Sequence, residues 1–306
     1  MKVIVFIISF LFLNDLTSQN VRYKIKNLSL NTKDSEIAPT FYKNNTLVFA
    51  RPITNNSNKR LKFFNLFKTD ETNLLYSNST KKVTPFSNEI NTLFHESNAV
   101  FSKDYNTIYF TKTNAKKRRP GKKDSEGSIV LKIYTANYIN GKWKNIRELP
   151  FNSDNYSIGH PALSNDGKKL FFTSNMPGTH GESDLFVVDI LDNNKYSTPK
   201  NLGRQINSSK KEMFPFIDEN NNLYFSSNNN NEDLDIYCSK FKDGRYEKPH
   251  RLESPINSNA DDFGFIKKRN QNKGYFSSNR YGGKGGDDIY YFAQNNFTSR
   301  SKPSSD

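Results

Sequence analysis

Hydrophobic and polar positions alternate in short runs broken by Asn, Asp, Ser and Gly, and no stretch sustains a helical period. The runs recur as a repeat. An apolar residue followed by Asn and Ser or Thr occurs at Leu30-Asn31-Thr32, Ile90-Asn91-Thr92, Phe151-Asn152-Ser153, Ile206-Asn207-Ser208 and Ile256-Asn257-Ser258, at steps of 60, 61, 55 and 50 residues. Five apolar segments end in Phe: Leu47-Val48-Phe49, Ile108-Tyr109-Phe110, Leu170-Phe171-Phe172, Leu223-Tyr224-Phe225 and Gly274-Tyr275-Phe276. A third unit sets a polar residue before an apolar pair, beginning at Asn65, Lys132, Asp184, Asp235 and Asp288. A fourth carries Trp143, Tyr196 or Tyr246, followed by Leu149, Leu202 or Leu252. Four short strands per repeat of this length predict one blade of a β-propeller.

Turn chemistry agrees. Asn140-Gly141 and Asp243-Gly244 fall between third and fourth strands, as two-residue hairpins with positive φ require. Pro39, Pro161 and Pro215 share one place in three first strands, which predicts a position where no ladder donor is used. The segment Arg22 to Leu28 reads as a fourth strand with no blade before it, and the last repeat lacks a fourth strand after Asp288 to Phe292. Joining the two removes both free edges. The expectation is therefore an all-β chain: a single five-bladed β-propeller of four-stranded antiparallel blades over residues 20–292, closed by the N-terminal strand 22–28.

Lys2, the apolar run Val3 to Leu13 and the small residues Thr17 and Ser18 read as a signal peptide over residues 1–19, too short to span a bilayer. Residues 293–306 read as a disordered tail. The chain is thus expected to be exported, to the periplasm, the outer membrane or the medium, and not membrane-spanning. Aromatic residues reach 14% of the 306, which excludes wholesale disorder. The net charge of +14 favours acidic partners, and the single Cys238 excludes an intramolecular disulfide.

The string Glu212, Pro215, Leu223 to Asn228 and Asp235 to Tyr237, repeated in part by Gly274 to Asn279 and Asp288 to Tyr290, resembles the WD40-like (TolB-type) β-propeller repeats of bacterial cell-envelope proteins, such as the propeller modules of OmpA-family proteins. The resemblance implies a propeller working in the envelope, with envelope or outer-membrane proteins as partners.

Contiguous catalytic motifs are missing. Ser164-Asn165-Asp166-Gly167 departs in spacing from a sialidase Asp-box, the four histidines are scattered, and no Gly-x-Ser-x-Gly or phosphate loop occurs. The expectation is a non-enzymatic interaction or ligand-binding scaffold without a cofactor. The alternative is a carbohydrate-active propeller enzyme of glycosidase or lyase type, using channel-mouth carboxylates such as Glu212 and Asp261 as acid and base. Candidate ligand-binding residues are Glu36, Glu212 and Asp261 near first strands and Asp184, Asp235 and Asp288 at third strands. Two roles are open to them: lining a mouth of the channel, or accepting backbone N–H bonds in neighbouring loops. Lys116, Lys117, Arg118, Arg119, Lys122 and Lys123 form a basic run, either a docking patch for an anionic surface or a solvated insertion. The run lacks the interleaved aromatics of nucleic-acid binders, so no nucleic acid is expected.

Overall fold

The computed structural model describes residues 22–43, 45–54, 62–74, 82–114, 123, 129–192, 195–229 and 232–295. Residues 1–19, read above as a signal peptide, and the chain beyond 295, read as a tail, lie outside them. The described residues form a five-bladed β-propeller of antiparallel, mostly four-stranded sheets. Its first strands are Ile37–Tyr42, Glu96–Phe101, Ile158–Leu163, Glu212–Ile217 and Asp262–Lys267. The last blade is completed by Arg22–Asn27, which pairs antiparallel with Asp288–Asn295 from Arg22 opposite Asn295 to Asn27 opposite Tyr290. That third strand runs to Asn295, past the Phe292 expected as the end of the propeller. No helix among the described residues is long and apolar enough to cross a membrane.

The recurring Asn explains why the repeat length can vary while the blades stay alike. In every blade its side-chain amide pairs with one third-strand residue as another strand would. Asn31, Asn91, Asn152, Asn207 and Asn257 accept from the N–H of Ile289, Leu66, Ile133, Leu185 and Ile236 at 2.7–3.1 Å, and donate to the carbonyl of the same residue at 2.7–3.0 Å. Those carbonyls also accept from the backbone N–H of Leu28, Phe86, Leu149, Leu202 and Leu252, the apolar residues that close the fourth segments. A buried peptide group is satisfied where the fourth strand has already turned away.

Between the blades lies apolar packing. Val48, Phe110 and Trp143 belong to one cluster, Ile133, Phe172 and Val188 to the next, and Ile236, Phe276 and Phe292 to another. Phe172 on Phe186, Phe225 on Tyr237 and Phe276 on Tyr290 repeat one stacked pair, with ring centroids 5.7–6.0 Å apart. Aromatics at these places fill the wedge between twisted sheets.

Two outcomes test this architecture. Deleting residues 22–28 exposes the edge of Asp288–Asn295 and removes fully buried Leu28, so no folded monomer is expected by circular dichroism and size-exclusion chromatography. Asn257→Ala leaves the buried N–H of Ile236 without its acceptor and is expected to cost about 1–3 kcal/mol in urea unfolding. A change under ~0.5 kcal/mol would contradict the role assigned to the amide.

Candidate functional site

The five first strands line the central channel, and each bulges there. The pairing register with the second strand shifts between Ile37 and Thr40, Ser97 and Ala99, Gly159 and Ala162, Met213 and Phe216, and Phe263 and Ile266. In each bulge one residue takes a left-handed backbone: Ala38, Asn98, His160, Phe214 and Gly264, with φ from 38° to 63°. Four of the five are not glycine, an uncommon conformation that needs support from its surroundings. Part of that support crosses between blades, because Ser277 Oγ accepts from the Ala38 N–H at 3.1 Å and Thr111 Oγ1 from the His160 N–H at 2.9 Å. Pro39, Pro161 and Pro215 follow three of these residues, where the bulge leaves no ladder donor to supply.

This ring is the floor of a cavity of about 290 Å³ that occupies the half of the channel next to the first-to-second-strand hairpins. Phe41, Tyr105 and Phe216 contribute aromatic surface to the wall, Phe101 and Phe265 back it from the blade cores, and Lys103, Asp218, Glu219, Lys267 and Arg269 lie toward the mouth. The floor is unequal around the ring. On blades three and four, His160 stacks on Phe214 with ring centroids 4.0 Å apart, and Phe214 meets Phe263 at 4.9 Å. On blades five and one the backbones approach, so that a Cβ on Gly264 would stand 3.6 Å from the Ala38 Cα. Burial drives the His160 pKa down to about 3, and its Nδ1 is buried with no hydrogen-bond partner among the described residues.

Asp218 accepts from the N–H groups of Asn220 and Asn222 at 2.8 and 2.9 Å and from Asn222 Nδ2 at 3.0 Å, holding its hairpin. Glu219 accepts from the Asn270 N–H at 3.1 Å and from Lys267 Nζ at 3.4 Å. Burial would raise the Glu219 carboxyl, but the backbone donors and Lys267 outweigh it and hold it below the usual range. Lys103 and Arg269 are exposed and make no ion pair among the described residues.

None of the six carboxylates singled out from the sequence lines this cavity. Glu36 accepts from the N–H of Thr32 at 2.8 Å and its hydroxyl at 2.7 Å, and pairs with Arg51 at 2.7 Å. Glu212 repeats this with Ser208 at 2.9 and 2.6 Å, but Ser227, not a cation, is its third partner. Desolvation accordingly raises the Glu212 carboxyl above its ordinary value. The equivalent residue in the last blade is Asp262, held by Ser258 and Arg280, and not Asp261, which accepts instead from the Leu234 N–H at 2.8 Å and Asn279 Nδ2 at 3.1 Å. Glu96 is the member sequence reasoning missed, held by Thr92 and paired with Lys112 at 3.2 Å. Counting five residues on from Asn31, Asn91, Asn207 and Asn257 reaches all four carboxylates, a signal present in the sequence.

At the third strands, Asp184 accepts from the His180 N–H at 2.7 Å and Asn201 Nδ2 at 2.6 Å. Asp235 takes both arms of Arg251 at 2.6 Å, and Asp288 accepts from Asn27 Nδ2 at 2.7 Å. Blade two inverts the charge, placing Lys132 between Glu148 and Asp154 at 2.9 and 2.8 Å. Lys116, Lys117, Arg118, Arg119 and Lys122 lie outside the described residues, while Lys123 is exposed and bridges to Ile129. Among the described residues no cluster of His, Cys, Asp and Glu is placed to hold a metal ion.

No protein-family model matches the chain, and no curated protein sequence does. Solved structures do. An α-L-arabinofuranosidase from Lactobacillus brevis superposes with a TM-score of 0.54 at 12% identity, covering 85% of this chain and 90% of that one. A gluconolactonase from Xanthomonas campestris gives 0.47 at 10%, covering 90% of each. A puromycin-hydrolysing peptidase of Mycobacterium tuberculosis gives 0.40 at 14%, covering 80% of this chain; the chain spans 43% of its length. At these identities the shared feature is the fold.

The expectation of a non-enzymatic scaffold is corrected here: the fold is shared with an α-L-arabinofuranosidase, so the lack of a contiguous catalytic motif, on which that expectation rested, does not exclude an enzyme. The inference failed for a geometric reason. A propeller gathers channel residues from strands 50 or more positions apart, so a site there leaves no local motif.

His160 supplies a pH test. Its ordinary pKa is 6.5 and its folded value about 3, so between those limits the unfolded chain binds a proton that the folded chain does not. The contribution is complete above pH 6.5 and is lost as pH falls toward 3, at roughly 1.4 kcal/mol per unit. His160→Phe, an aromatic that Phe214 already accommodates at the same backbone geometry, is expected to remove this acid sensitivity. Urea midpoints from pH 7 to 4 check it, and parallel curves for parent and variant would refute the assignment.

Proposed function

We propose that the chain is a carbohydrate-active propeller enzyme whose site is the channel cavity at the hairpin end. The observation that carries the reading is the cavity itself: about 290 Å³, aromatic on its walls, polar and charged at its mouth, with a buried neutral imidazole in its floor. Its volume is close to the lower end of small-molecule pockets, roughly 300–1,000 Å³, which suits one or two sugar rings. Aromatic faces stack on the C–H faces of a pyranose or furanose, while hydroxyls find Asn98 and Asn165 on the lining. The arabinofuranosidase adds that this fold, at 85% coverage, carries glycoside chemistry in another protein.

The acid and base named from the sequence change places. Glu212 is fully buried and occupied by Ser208 and Ser227, so it meets no substrate. Asp218 and Glu219 are the carboxylates on the cavity lining. Glu219, held ionised beside Lys267, fits the role of base or nucleophile. As part of the same proposal, residues 1–19 export the enzyme to where glycans are met.

Turnover of a panel of aryl glycosides and oligosaccharides, including α-L-arabinofuranosides, tests the reading. Glu219→Gln is expected to lower turnover by ~100-fold or more with the melting temperature nearly unchanged. A panel with no substrate turned over, or a variant as active as the parent, would sink it.

A further inference from the structure

We propose that the saccharide bound in this channel is acidic, and that Lys103 and Arg269 receive its carboxylate. The inference rests on the carbohydrate reading of the cavity and adds the class of sugar. Three cations, Lys103, Lys267 and Arg269, lie on the lining against two carboxylates, Asp218 and Glu219. The carboxylates are already engaged. Asp218 is buried under three donors of its own hairpin, and Glu219 is shared between Lys267 and the Asn270 N–H. Neither meets Lys103 or Arg269, which stand exposed at the mouth on blades two and five without an acidic partner among the described residues.

An unpaired guanidinium presents a rigid fork whose spacing matches a carboxylate, and an ammonium on another blade of the same mouth supplies a point charge that adapts to the sugar's pose. The aromatic wall then holds the ring while the cations hold its acid. Deeper in, the floor offers no charge to compete for the anion: His160 stays neutral, and Ala38, Phe214 and Gly264 are apolar. A uronate therefore binds with its carboxylate at the mouth and its ring inward. The hairpins around the mouth add Lys43, Lys168 and Lys273 to the positive field, against Asp104 and Asp166, while Lys169 and Lys268 are paired with Asp189 and Glu71. Such a field gathers anions and is screened over ~8 Å at physiological salt.

Calorimetric titration with trigalacturonate and with a mannuronate trimer, each against its fully methyl-esterified form, decides the matter. The ester keeps the sugar backbone, adds one methyl per ring and removes the charge. The acids are expected to bind about tenfold tighter or more at low salt, with the ratio shrinking at high salt. In the double variant Lys103→Gln, Arg269→Gln, whose two exposed side chains leave the sheets untouched, the ratio is expected to fall to near one. Equal affinity for acid and ester in the parent would overturn the proposal and leave the carbohydrate reading standing. So would binding of neutral arabino-oligosaccharides alone, or a ratio that survives the double variant. If no saccharide binds, acid, ester or neutral, both readings fall together.

Discussion

One hydrogen-bonding geometry organises this molecule: an asparagine amide that takes the place of a strand. A four-stranded blade must end its fourth strand early so that the chain can cross to the next blade, and that leaves third-strand peptide groups facing an empty position in the interior. Asn31, Asn91, Asn152, Asn207 and Asn257 fill it with one donor and one acceptor each. A buried N–H without an acceptor costs more than a typical hydrogen bond contributes, so this position tolerates few side chains. Asparagine has the reach, both functions and no charge to desolvate.

The same connection is fixed at its other end. Thr32, Thr92, Ser208 and Ser258 follow four of the amides, and their N–H and hydroxyl groups bind the carboxylates of Glu36, Glu96, Glu212 and Asp262, which begin the next first strands. Amide and carboxylate thus hold consecutive blades across one short segment. Blade three has an extra residue there and sets Ile158 against Ser174 at the carboxylate's place, and its junction is held by other bonds: Asp154 pairs with Lys132 at 2.8 Å, and Ser157 Oγ accepts from the Leu131 N–H at 3.1 Å. Ring closure needs no separate device. Asn31 holds Ile289 as the other amides hold their partners, although they stand 258 residues apart in sequence.

The fold was legible because its determinants are local and repeated: apolar strand patterns and the Asn unit each recur five times, and Asn140-Gly141 and Asp243-Gly244 mark two of the hairpins. The orphan strand at Arg22 was legible by count, since a ring leaves no strand over. The carboxylates were visible as residues but not in role, because a formal charge near a strand start reads the same whether it faces solvent or a buried loop N–H. The one-residue slip from Asp262 to Asp261 has the same source, since two adjacent acids are equivalent until a register is known. The cavity was hardest to read. Its lining comes one short segment at a time from five blades, and its floor depends on left-handed residues that, apart from Gly264, carry no sequence mark of their conformation.

The bulges also bear on how such a molecule can acquire new specificities. A residue in regular pairing is judged by both neighbouring strands, and replacing it disturbs a ladder. Ala38, Asn98, His160, Phe214 and Gly264 stand outside the regular register, with the N–H groups of Ala38 and His160 taken by a hydroxyl of the preceding blade. Within this one chain the five sites already hold a methyl, an amide, an imidazole, a phenyl and no side chain at all, on blades otherwise built alike. The floor of the channel is therefore encoded apart from the ladders, and its contents can be rewritten residue by residue while the wall, whose Phe101 and Phe265 also belong to the core, keeps the ring's instructions intact.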